Sequence, residues 1–102
     1  MREPTINDID MMARALAGLP DEDREHAAGR IIERAQFADL YRKNTGRTHA
    51  AFGSGDIASA VTCGDGLPPT YRASDPRFLR ATALVCGLLA DRIEAHLEKV
   101  AA

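Results

Sequence analysis

A chain of 102 residues that is 45% hydrophobic and 27% charged predicts a single folded domain. Its 13 basic and 15 acidic residues give a net charge of −2, which by itself does not indicate a polyanionic ligand. No apolar run reaches the roughly 18 residues of a membrane-spanning helix, and the first residues, "MREPTINDID", lack the layout of a secretory signal. We therefore expect a cytoplasmic protein whose two cysteines, Cys63 and Cys86, stay unpaired.

The first predicted helix covers about residues 7–17. Either Thr5 or Asn7 is suited to cap its N-terminus, and the "GLP" sequence at 18–20 ends it. Its apolar residues recur at the spacing of one helix face, namely Ile9, Met12, Ala13 and Leu16.

The second predicted helix is long, at about residues 21–44. Acidic residues crowd its first turns and cations occupy its last turn, which suits the helix dipole at both ends. Gly46 follows as a C-terminal cap. Besides a main apolar stripe, this helix has a second apolar face with Phe37 and Leu40, which predicts more than one packing partner and, here, self-association.

A short third helix is predicted at about residues 56–62, with Ser54 as its cap. The last helix should cover about residues 76–100, because Asp75 is suited to the cap position and Pro76 to the first helical position.

These segments predict an all-α fold with two long antiparallel helices and two shorter ones, since no alternating strand pattern of useful length appears. The long helices are expected to pack on each other. Their expected contact residues are Ile31, Ile32, Ala35, Val85, Leu88 and Leu89.

The glycine-containing stretch "TGRTHAAFGSGDIA" at 45–58 allows several interpretations. A dinucleotide-binding loop needs a buried strand before its first glycine, and none is predicted. His49, Ser54 and Asp56 have the residue types of a catalytic triad, but nothing indicates the required geometry. We interpret the stretch as a connector anchored by Phe52, and its neighbouring cations either contact phosphates or are simply solvated.

Two segments, "FADLYRKNTGRTHAAFGSGDIASAV" and "DPRFLRATALVCGLL", resemble a set of short proteins encoded in the gene transfer agent clusters of alphaproteobacteria. Together with "ARALAGLP", the likeness covers most of the chain. These proteins look like reduced small terminase subunits of phage-derived DNA packaging.

The resemblance implies a non-enzymatic homo-oligomer, with a ring as its expected form. This oligomer would bind double-stranded DNA and recruit the large terminase subunit, which carries the ATPase and nuclease. The cysteines and histidines lack the spacing of a zinc site, so we expect neither a metal nor a cofactor. Ordinary small terminases carry an N-terminal helix-turn-helix domain, for which this chain has little room. Any DNA contact should therefore be weak and independent of sequence.

Charge clustering, and not the resemblance, selects the candidate DNA-binding residues: Arg42, Lys43, Arg47, Arg72, Arg77 and Arg80. The candidate oligomer interface is formed by Phe37 and Leu40. An alternative is a small helical protein that binds or regulates another protein and has no nucleic-acid role. No acid–base pair, metal cluster or nucleophile arrangement in the sequence indicates an enzyme.

Overall fold

A computed structural model describes residues 1–101 of the chain. The all-α prediction is confirmed: the described part of the chain forms four helices and no strand, and its one β-bridge joins His49 and Gly53. None of these helices is long and apolar enough to cross a membrane. The helices are α1 (Ile6–Ala17), α2 (Asp21–Thr45), α3 (Ile57–Asp65) and α4 (Pro76–Ala101).

Side-chain caps fix the starts of α1 and α4 where the sequence predicted them. Thr5 caps α1 in a reciprocal arrangement, in which Asp8 N–H donates to Thr5 Oγ1 (3.2 Å) and Thr5 N–H donates to Asp8 Oδ2 (2.8 Å). At α4, Arg77 N–H donates to Asp75 Oδ1 (2.9 Å). The predicted helix-start signals are therefore confirmed by hydrogen bonds.

The third helix differs from its prediction at both ends. Its cap is Asp56, whose Oδ1 accepts from Ser59 N–H (2.8 Å), whereas Ser54 donates its own N–H to Ser59 Oγ (3.1 Å). The helix continues past residue 62 because Gly64 is tolerated in its last turn. It ends at Asp65, and the next residue, Gly66, is the C-cap with a φ of 79°.

The short helix α1 forms the centre of the domain, and not the pair of long helices. It packs extensively on α4 and also on α3, while α2 and α4 touch each other only marginally. This differs from the expected pairing because α4 directs its buried residues toward α1, whereas α2 packs on α3 and α1. Of the six expected contact residues, Ile31 and Leu88 are half-buried, and the others are buried: Ile32, Ala35, Val85 and Leu89.

The last three turns of α4 extend beyond the core. Leu89 is the last buried residue of the helix, and every described residue after it is exposed. The apolar spacing nevertheless continues, so Ile93, Leu97 and Val100 form a stripe in contact with solvent. This end of α4 is therefore available for contacts outside its own chain.

Candidate interaction surfaces

A buried carboxylate, Asp39, organises the cations at the end of α2. Only 3% of Asp39 is exposed. Its Oδ1 accepts from Arg42 Nη2 (2.9 Å), and its Oδ2 lies 3.0 Å from Lys43 Nζ and 3.5 Å from the N-terminal ammonium of Met1. Two candidate DNA-binding residues, Arg42 and Lys43, are therefore already paired with a carboxylate.

This pairing predicts acid sensitivity. Burial favours a raised pKa for Asp39, but hydrogen bonds from Arg42 and Lys43 and the nearby positive charges outweigh it and lower the pKa from 3.8 to about 2. Because the folded-state pKa lies below the unfolded value, the contribution of Asp39 to stability is present above pH 4. That contribution is lost as the pH falls toward 2.

We therefore expect the free energy of unfolding, measured by urea titration, to fall between pH 4 and pH 2. The Asp39→Asn variant should show a smaller fall over this range. Asp10→Asn is the control, because Asp10 makes only a surface contact with Arg14 (3.4 Å) and should leave the fall unchanged. An equal fall in wild type and Asp39→Asn would contradict this assignment.

The other candidate DNA-binding residues divide into one paired and three unpaired cations. Arg77 Nη2 lies 2.9 Å from Asp75 Oδ2, and this neighbour raises the pKa of the guanidinium. Within residues 1–101, no ion pair involves the remaining three, which are all exposed: Arg47, Arg72 and Arg80. Arg47 follows α2, whereas Arg72 and Arg80 flank the start of α4.

Gly55 lets the connector at residues 45–58 pack directly against α2. Its φ is 101°, and a Cβ at this position would lie 2.8 Å from Asp39 Cα. The Gly55 carbonyl also accepts from Arg2 N–H (2.8 Å). The glycine therefore joins the N-terminal segment, the connector and the Asp39 cluster, a structural role for a stretch that resembles a nucleotide-binding motif.

The predicted second face of α2 is exposed and aromatic. Phe37 is 53% and Leu40 is 61% exposed. His49 stacks on Phe52 with ring centroids 4.7 Å apart, and its ring also meets the edges of Phe37 (5.3 Å) and Tyr41 (5.0 Å). We call these five residues the aromatic patch. Phe52, expected to anchor the connector, does so on the outer face of α2.

The residue types of a catalytic triad have separate structural partners here. His49 Nδ1 accepts hydrogen bonds from the N–H groups of Ala51 and Phe52 (3.1 Å each), Asp56 caps α3, and Ser54 lies beside Ser59.

Within residues 1–101, no group of three or more side chains is arranged to hold a metal ion. Cys63 and Cys86 are both free and exposed.

Sequence reasoning missed a basic groove of about 770 Å³ between the N-terminal segment, α2 and the exposed end of α4. Glu3 is the one carboxylate among its lining residues, and Ile93 and Leu97 contribute apolar surface. A signal was present, because residues 92, 96 and 99 are spaced to share one helix face. Its basic lining residues are Arg2, Lys43, Arg92 and Lys99, together with the histidine His96.

These features define a small four-helix domain with exposed aromatic, basic and apolar surfaces. The chain belongs to the DUF7742 family, a domain of unknown function that matches residues 2–89. The match therefore ends where α4 leaves the core. No curated protein and no solved structure matches the chain significantly.

Proposed function

We propose that this protein is a non-enzymatic DNA-packaging adaptor similar to a small terminase subunit. It self-associates, binds double-stranded DNA weakly without sequence specificity, and recruits a large terminase subunit. In this proposal α2 and α4 run antiparallel on either side of the basic groove. The packaging role is proposed from the resemblance of the sequence to small terminase subunits. Self-association is proposed from the exposed surfaces of the domain.

The observation that carries the proposal is the aromatic patch on α2. Phe37 and Leu40 are large apolar side chains that stay more than half exposed, and the Phe37 ring lies against the half-buried rings of His49 and Phe52. Aromatic residues beside an arginine are typical of interface centres, and the Arg34 guanidinium lies 5.7 Å from the Phe52 ring centroid. The patch is therefore suited to contact with another protein chain.

The ion pairs explain why DNA binding should be weak. Arg42, Lys43 and Arg77 each lie close to a carboxylate, so a phosphate would have to compete with Asp39 or Asp75. Unpaired cations contribute most to phosphate binding, and each phosphate neutralised on duplex DNA adds about 0.9 to the salt dependence of log K. The three unpaired candidates together would therefore account for a slope of about 3 per chain.

The test compares duplex affinity over a range of salt concentrations for wild type and a variant with Arg47→Gln, Arg72→Gln and Arg80→Gln. We expect the variant to bind more weakly and with a clearly lower slope. A single Arg30→Gln variant is the control, because Arg30 is exposed on the middle of α2 and should leave both values nearly unchanged.

An unchanged affinity in the triple variant would remove these residues from the DNA surface. If wild type bound no duplex even at low salt, the DNA role would be wrong. The ion pairs on three of the six candidate cations favour, in that case, a helical protein-interaction module that uses the aromatic patch.

A further inference from the structure

Opposite charges lie at the two ends of α2. The acidic helix start consists of four exposed carboxylates within five residues: Asp21, Glu22, Asp23 and Glu25. Lys43, in the basic groove, lies about 30 Å away along the helix at 1.5 Å per residue. The net charge of the chain is only −2, but negative and positive side chains are concentrated at opposite ends of α2.

Capping of α2 does not account for all of the acidic helix start. The helix dipole is equivalent to about half a positive charge, so one carboxylate is enough to offset it. Arg24, the cation within this segment, is buried and its Nη1 contacts Asp21. Its Nε donates hydrogen bonds to the carbonyls of Leu16 (3.1 Å) and Leu19 (3.0 Å). Glu22, Asp23 and Glu25 therefore present negative charge to solvent.

The basic groove has the complementary chemistry. Three exposed cations of the groove have no ion pair among the described residues, namely Arg2, Arg92 and Lys99. A fourth cation, Lys43, is paired with Asp39. The apolar side chains of Ile93 and Leu97 would meet the partly exposed Leu19 next to the acidic helix start. Both charge and apolar surface therefore match between these two regions.

We propose that the basic groove of one copy receives the acidic helix start of a second copy. The inference rests on the proposed function, for which it identifies a contact between subunits. Because the two regions are different and lie far apart on one chain, the contact is head-to-tail and can repeat into a ring or a filament. It should weaken with salt, since exposed charges are screened over about 10 Å at 0.1 M.

Two neutralised variants test the contact by complementation. The acid variant carries Glu22→Gln, Asp23→Asn and Glu25→Gln and keeps the groove. The groove variant carries Arg2→Gln, Arg92→Gln and Lys99→Gln and keeps the acidic helix start. At low salt and low micromolar concentration, we expect wild type to self-associate and each variant alone to have the 11.0 kDa mass of one chain, because the aromatic patch by itself associates only at higher concentration.

An equimolar mixture can form only one contact, between the groove of the acid variant and the acids of the groove variant. Light scattering should therefore give a 1:1 complex of about twice the chain mass. Circular dichroism confirms that each variant is folded. A second pair reverses the charges. One variant has the three acids replaced by Lys, and the other has the three groove cations replaced by Glu. Mixing these two variants should restore larger assemblies, because the groove of each is then opposite in charge to the helix start of the other.

Three results would overturn the proposal. Variants that associate as wild type does would place the subunit contact elsewhere, such as on the aromatic patch, and would leave the proposed function intact. Monomers that stay monomeric after mixing would show that the charges act without a specific contact. A wild type that is monomeric at low salt would reject both this contact and the self-association in the proposed function.

Discussion

Replacing Gly55 by Ala should destabilise the protein by about 2–6 kcal/mol, measured by urea denaturation. A non-glycine residue at φ 101° is strained by roughly 1–3 kcal/mol. The added methyl group would also lie 2.8 Å from both the Cα and the Cβ of Asp39, and overpacking costs about 1–3 kcal/mol. The Asp39 backbone is part of α2, so it cannot move aside as a flexible side chain would.

Gly46→Ala is the matched control. Gly46 has a φ of 72°, yet a Cβ there would meet no atom within 4 Å. Only the backbone strain applies, so the expected loss is about 1 kcal/mol. Equal losses for the two variants would show that the close approach of Gly55 to Asp39 contributes nothing to stability.

Replacing Asp8 by Ala should cost about 2–5 kcal/mol, because this buried carboxylate serves two helices. Its Oδ2 accepts from Thr5 N–H at the start of α1, and its Oδ1 accepts from Ala58 N–H at the start of α3 (both 2.8 Å). Losing a cap costs about 1 kcal/mol, and each buried donor left without a partner costs about 1–3 kcal/mol.

Two further substitutions separate these contributions. Asp8→Asn keeps an acceptor oxygen for Ala58 and should recover part of the stability. Asp10→Ala, in the same helix, removes only a surface contact with Arg14 and should cost less than about 1 kcal/mol. A loss for Asp8→Ala as small as that for Asp10→Ala would contradict the role of Asp8 in joining the two helices.

Local signals predicted the helices well. The capping hydrogen bonds of Thr5 and Asp75 involve neighbours in sequence, and the helix-ending Gly46 acts through its own backbone, so short sequence patterns were sufficient. The end of α3 was placed too early because Gly64 is a weak helix former but does not prevent one more turn. Local pattern could not reveal that the final turn would persist.

Long-range packing was harder to predict. Apolar stripes show which face of a helix is buried but not which helix covers it, so the central position of α1 was missed. The Asp8–Ala58 hydrogen bond and the approach of Gly55 to Asp39 join residues far apart in sequence. The basic groove was likewise missed, because it combines cations from the N-terminal segment, α2 and α4.

The candidate sites show the same division. Phe37 and Leu40 were correctly placed on an exposed face, since helical periodicity alone separates that face from the core. Charge clustering identified Arg42 and Lys43, but it could not show that both pair with the same buried Asp39. The closeness of these cations in sequence indicated a positive surface, but in the folded protein Asp39 already neutralises part of that charge.

The most direct test of the proposed adaptor is its mass in solution, measured by sedimentation equilibrium from micromolar to near-millimolar concentration. We expect the mass of wild type to rise to a multiple of 11.0 kDa. Association should weaken in the variant with Phe37→Ser and Leu40→Ser, and not in the control Leu67→Ser, which changes an exposed apolar residue of the loop after α3. A mass of 11.0 kDa for wild type over the whole range would contradict the proposal.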